Sequence, residues 1–158
     1  MQWDKATDII LIAAIAVLGV FASFGLYQWI SRGSLKKVDR QILTMPIPLI
    51  LMAAAYLIFD KFWVVSTRPN GSGESSFPST HVMVVATIFL MTMLALPKYI
   101  KSKLFLFVAD LVMLSLIALT AAGRILSNMH WITDVIGGTV FAISFAVIYY
   151  LIKKEKHA

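Results

Sequence analysis

The sequence contains no cysteine, which removes disulfides, thiolate metal sites and thiol nucleophiles from consideration and leaves the redox compartment unread. Charge is scarce as well: 14% of residues are Asp, Glu, Lys or Arg, against about 25% in an ordinary soluble domain. No polar stretch is long enough for a separate soluble domain, and there is neither an internal repeat nor a low-complexity segment. What fills the chain is apolar. Hydrophobic residues occupy 59% of its 158 positions, with a mean hydropathy of +0.84, where about 45–50% is usual. That surplus has to face lipid. A formal net charge of +6 would suit nucleic acid if the basic residues lined a soluble face, but they fall between apolar runs, so no nucleic-acid partner is expected.

A bilayer core about 30 Å thick is crossed by roughly 20 helical residues rising 1.5 Å each. Five apolar runs approach that length, at about 7–30, 42–60, 82–97, 104–122 and 132–152. They predict an all-α, polytopic membrane bundle and a single membrane-embedded domain over residues 1–158. The first run follows a short acidic leader and exceeds a signal-peptide core, so it is expected as a retained helix. Pro46 and Pro48 fall in the opening turns of the second, where a missing N–H costs least.

The connections differ in charge. Arg32, Lys36, Lys37 and Arg40 lie in the first, Lys98, Lys101 and Lys103 in the third, and Lys153, Lys154 and Lys156 in the tail. Basic segments near membrane spans stay cytoplasmic, and these three are separated by two helices each, which is self-consistent. The N-terminus and the other two loops are then expected outside, in a cell membrane protein with its site on the extracytoplasmic face. Lys5, Lys61, Arg68 and Arg124 remain on that outer side, where the last three serve no topological purpose. A cation near hydrocarbon needs a partner, since moving one to mid-helix costs about 2.5–3.5 kcal/mol. A bound anion would supply it.

The same outer segments hold the other reactive side chains. His130 and Asp134 are spaced by four, which on a helix places them on one face, where the carboxylate can accept the Nδ1 proton and leave Nε2 as a nucleophile. His81 lies at the start of the third helix beside Ser79 and free backbone N–H groups, a setting that favours anions. It is placed to protonate a departing oxygen. Three cations suffice to neutralise the charge on a transferring phosphoryl group.

Lys61 with Arg68-Pro69, then Pro78-Ser79-Thr80-His81, then Arg124 with His130 and Asp134 resembles the three-part signature of the type 2 phosphatidic acid phosphatase superfamily. The likeness spans 61–134, nearly half of the chain. It implies metal-independent hydrolysis of a phosphomonoester or diphosphate through a phosphohistidine, with no cofactor. By motif position, His130 would be the nucleophile, Asp134 its partner, His81 the general acid, and Lys61, Arg68, Ser79, Thr80 and Arg124 the phosphate binders. The pattern commonly has Gly at Thr80 and Ser at Gly123, so one backbone approach and one hydroxyl contact differ here. Membrane members usually show six helices against the five counted, the missing one lying N-terminal to the motifs.

The substrate this implies is a membrane lipid phosphate whose chain stays in the bilayer, most simply a polyprenyl diphosphate such as undecaprenyl diphosphate. Phosphatidic acid and phosphatidylglycerophosphate are the alternatives, and phosphotransfer to an acceptor other than water is a rival reaction. A non-catalytic lipid-phosphate binder or transporter is the rival from another class. It would need the cations but not a nucleophile with an orienting carboxylate. Among the remaining residues, Asp110 is expected to hydrogen-bond between helices or to be a protonated acid, Asp60 to pair with Lys61, Gly137-Gly138 to permit close packing, and 72–76 to form a mobile loop.

Overall fold

The structure, a computed structural model, describes residues 2–154; Lys156, one of the three tail lysines, lies outside them. Five helices are long and apolar enough to cross a membrane: α1 (Gln2–Arg32), α2 (Arg40–Phe62), α3 (Thr80–Lys98), α4 (Lys103–Leu126) and α5 (Ile132–Lys153). Among the described residues there is no strand, and extended backbone pairs at a single antiparallel bridge between Thr67 and Ser75. The all-α bundle expected from the five apolar runs is therefore the fold.

The boundaries differ instructively at two places. Helix α1 begins at Gln2, so the acidic leader is helical, with Asp4 in the first turn, where negative charge suits the helix dipole. Helix α2 is uneven. It opens with a short turn at Arg40–Leu43, restarts with Pro46 in its first turn, and widens into a π turn over Ile58–Phe62. Lys61 sits in that wide turn.

Helix α3 is the centre of the bundle. It packs against α1, α4 and α5, while α2 lies mainly on α5. Val82, Met83, Val85, Ala86, Ile88, Phe89 and Met91 of α3 are all buried, so a helix of 19 residues suffices because protein surrounds it. In lipid, association rests on packing of small residues more than on removal of apolar surface from water. Ala14 of α1 and Ala142 of α5 supply such contacts and are completely buried.

Polar contacts separate the two ends of the bundle. At one, Asp39 accepts from the buried Gln28 at 2.8 Å and from Arg32 at 3.1 Å, and Lys98 approaches it at 3.6 Å. Arg40 donates to the carbonyl of Ile152 at 2.9 Å, and Lys153 to that of Leu94. The three basic segments thus meet at one end. Asp110 lies two turns into α4 from this end. Its Oδ1 is buried without a partner, so the expected hydrogen bond between helices is not made.

Candidate active site

The opposite end gathers the start of α1, the 63–79 loop, the start of α3 and the α4–α5 junction. The loop closes on itself: Arg68 N–H donates to the Glu74 carbonyl at 3.0 Å and Ser76 N–H to the Ser66 carbonyl at 2.9 Å. Gly71 and Gly73, at φ of 77° and 76°, make the reversal that a Cβ would disfavour. Ser76 is thereby buried, which corrects the expectation of a mobile stretch reaching that residue. Beyond it, the loop lies directly on α5. A Cβ on Gly138 would stand 2.8 Å from the Ser79 carbonyl oxygen, and one on Gly137 only 2.3 Å from the Phe77 ring. The glycine pair is what lets Ser79 donate its N–H to the Asp134 carbonyl at 3.0 Å and open α3.

His130 is placed by the end of α4. Asn128 takes the left-handed conformation at φ 57°, and the N–H groups of Met129 and His130 both turn back to the Arg124 carbonyl at 3.2 Å. The residue therefore precedes α5, whose cap is Trp131. Asp134 is the third residue of that helix, and its Oδ2 accepts the Trp131 N–H at 2.8 Å. Helical i,i+4 geometry does not apply across this boundary, and the carboxylate lies 3.8 Å from His130 Nδ1. A backbone carbonyl takes the expected role of the carboxylate. Nδ1 is 2.8 Å from the oxygen of Ser76, and because a carbonyl can only accept, Nδ1 carries the proton and Nε2 is the basic nitrogen. Asp134 acts from behind: Ser76 Oγ donates to its Oδ2 and Ser66 Oγ to its Oδ1 at 3.1 Å. Burial first, then the positive charges of Arg124 and Arg68, lower His130 from 6.5 to about 4, outweighing the Ser76 carbonyl and Asp134. At neutral pH the imidazole is uncharged.

Arg124, Arg68, Lys61 and the His81 imidazole at this end each already face a carboxylate of the chain. Arg124, almost completely buried, donates from Nη1 to Asp4 at 2.6 Å and to Thr7 Oγ1 at 3.4 Å. Arg68 Nη1 pairs with Glu74 at 2.7 Å, His81 Nε2 with Asp8 at 2.8 Å, and Lys61 with Asp60 at 2.8 Å. The need for a bound anion, argued from the cations alone, is thus met internally. Donors nevertheless remain over. Arg68 Nε, Arg124 Nε and Ser79 Oγ are buried without a partner.

The structure accordingly brings His130, Arg68 and Arg124 within electrostatic reach of one another, with Asp134 and Ser79 joined to the same group and His81 beside Arg124. Lys61 is not among the charges that act most strongly on these groups. That side chain is 68% exposed and held by its neighbour Asp60, the pairing expected from the sequence. Thr80 starts α3 and lines a small cleft with Tyr56, Asp60 and Ser75. Among the described residues no group of three or more carboxylate and imidazole side chains is arranged to hold a metal ion. Sequence reasoning missed Asp4, Thr7 and Asp8, whose spacing of three and four on an apolar helix was a signal. It also missed Ser66 and Ser76, which nothing in their spacing marks.

A family model described as the PAP2 superfamily matches residues 55–158, more than half of the chain. No curated protein and no solved structure matches it.

Proposed function

The chain belongs to the PAP2 superfamily, whose members are phosphatases, and from that premise we propose that it hydrolyses a lipid phosphate or diphosphate at the extracytoplasmic membrane surface through a phosphohistidine. The observation that carries this reading is a buried, neutral His130 whose Nδ1–H is held by the Ser76 carbonyl while Nε2 stays free, beside the unpartnered donors of Arg68, Arg124 and Ser79.

The reaction has two steps. His130 Nε2 attacks phosphorus, the bond to the leaving oxygen breaks with its electron pair remaining on that oxygen, and His81 gives the oxygen a proton. Water then attacks the phosphohistidine, returns a proton to His81, and releases phosphate and the neutral imidazole. Arg68 and Arg124 neutralise the equatorial oxygens throughout and Ser79 Oγ donates to them, with the N–H groups at the start of α3 available beside them. Asp134 stabilises the developing charge on His130 both across the 3.8 Å to Nδ1 and through Ser76 Oγ, which lies 3.2 Å from Nδ1.

Five membrane-length helices among the described residues favour a substrate whose apolar chain remains in the bilayer. A polyprenyl diphosphate such as undecaprenyl diphosphate suits a site facing away from the cytoplasm, which the gathering of basic residues at the opposite end supports. Phosphatidic acid and phosphatidylglycerophosphate share the headgroup chemistry. Purified protein in detergent, given a panel of these lipids with excess chelator, should release phosphate, and His130→Ala should abolish release while lipid still binds. Wild-type turnover by His130→Ala would end the nucleophile assignment, and loss of activity under chelation would end the metal-free mechanism. Binding of the panel without release by the wild type would leave a transporter or binder in its place. The lack of native cysteine makes topology directly testable: labels at Ser72→Cys and Lys98→Cys must react from opposite sides.

A further inference from the structure

The family match begins at residue 55, yet α1, far outside it, reaches into the site. Asp4, Thr7 and Asp8 share one face of α1 because residues three and four apart are neighbours on a helix. That face is docked closely. Thr7 is fully buried, and a Cβ on Gly123 would meet its methyl group at 2.6 Å, so Gly123 is what admits α1 against α4. One turn further on, Ile10 and Ala14 pack into the core with Val85, Ile88 and Phe89 of α3. Asp8 is therefore held at a fixed height beside the start of α3, with its Oδ1 2.8 Å from His81 Nε2. No other side chain among the described residues bonds to that imidazole.

We propose that Asp8 is the positioning residue of His81. Its carboxylate holds Nε2–H, fixes the ring, and leaves Nδ1 as the nitrogen that exchanges a proton with the substrate. This rests on the phosphatase reading above. In the first step the P–O bond to the leaving group breaks, the electron pair stays on that oxygen, and the Nδ1 proton moves to it. His81 passes from imidazolium to neutral imidazole while its Nε2–H remains on Asp8. In the second step a proton from the attacking water restores Nδ1–H. Each histidine then has its own orienter, the Ser76 carbonyl for His130 and the Asp8 carboxylate for His81.

The test compares two aryl phosphates on the full-length protein in detergent. Phenyl phosphate leaves as an oxyanion that needs a proton, and 2,4-dinitrophenyl phosphate leaves without one. kcat/KM is the readout, because it reports phosphoryl transfer to His130 alone. Asp8→Asn should lower kcat/KM on phenyl phosphate about tenfold or more and leave the dinitrophenyl ester within about twofold, and Asp8→Glu should restore much of the loss. An equal fall on both esters, in Asp8→Asn and Asp8→Glu alike, would make Asp8 a structural residue. A rise on both would make it an anion that competes with substrate, and no change on either would end the proposal. His81→Ala separates the two levels. If it shows the leaving-group dependence and Asp8→Asn does not, the general acid stands and the positioning role falls; a wild type inactive on lipids and aryl esters alike overturns both.

Discussion

His130 should resist protonation, and pH is the perturbation that tests the site most directly. Burial and the two neighbouring arginines bring it from its ordinary 6.5 to about 4, a displacement worth roughly 3 kcal/mol at 1.36 kcal/mol per unit. The sign follows from proton counting. Between those two values the unfolded chain binds a proton that the folded chain refuses, so this contribution to stability is fully present above 6.5 and is lost as pH falls toward 4. The assay is NMR titration of the ring Cε1 in histidine-labelled protein, with the signal assigned by its disappearance in His130→Gln. A phosphate monoester's own second ionisation near 6 overlays any rate profile, so the direct titration decides. In Arg124→Gln the same signal should titrate at higher pH, because one of the opposing charges is gone. A wild-type His130 titrating near 6.5 would mean that water reaches the ring, and the account of a desolvated neutral nucleophile would fail.

Ser76→Ala removes a hydroxyl that donates to a buried carboxylate but keeps the carbonyl that holds His130. It should cost about 1.5–3 kcal/mol of stability in detergent denaturation and slow phosphoryl transfer without abolishing it, whereas complete loss would show that Asp134 works only through that hydroxyl. Gly138→Ala drives a Cβ to 2.8 Å from the Ser79 carbonyl; we expect roughly 1–3 kcal/mol of destabilisation and a larger loss of activity than of folded protein, measured side by side. Lys61→Ala should change kcat/KM less than about tenfold, while Arg124→Ala should cost on the order of 10²-fold or more. Equal losses would place Lys61 in the phosphate site after all.

The helices were legible because lipid imposes a simple requirement: a span of apolar residues long enough to satisfy its own backbone hydrogen bonds. Motif order also picked out residues that lie together, since Arg68, His81, Arg124 and His130 meet at one end of the bundle. Two details were out of reach for a definite reason. The spacing of His130 and Asp134 has a helical meaning only if both lie in one helix, and the left-handed turn at Asn128 ends that continuity before His130. Asp8 and His81 are 73 residues apart, and their meeting depends on how α1 docks, which local pattern does not encode. The acidic start of α1 looked like a leader because its charge broke the apolar run, although that charge is what joins α1 to the site.

The carboxylates that face Arg68 and Arg124 do not make these residues unfit to hold phosphate. A guanidinium carries five N–H donors in a fixed plane, and in both arginines the carboxylate takes Nη1 while Nε is buried and unpartnered. Asp4 and Glu74 therefore orient each plane through Nη1 and leave Nε unpaired, so that under the proposed function a phosphoryl oxygen reaching Nε would not have to displace them. A lysine offers no such division. Its donors share one nitrogen, so the Asp60 carboxylate at 2.8 Å competes for the same point charge that a phosphate would use. Under the proposed function the two arginines would gain a ligand on separate N–H groups while keeping their ion pairs, whereas Lys61 would divide one point charge between two anions. This asymmetry is the reason that the two kinds of cation should respond differently to substitution, although the sequence pattern treats them alike.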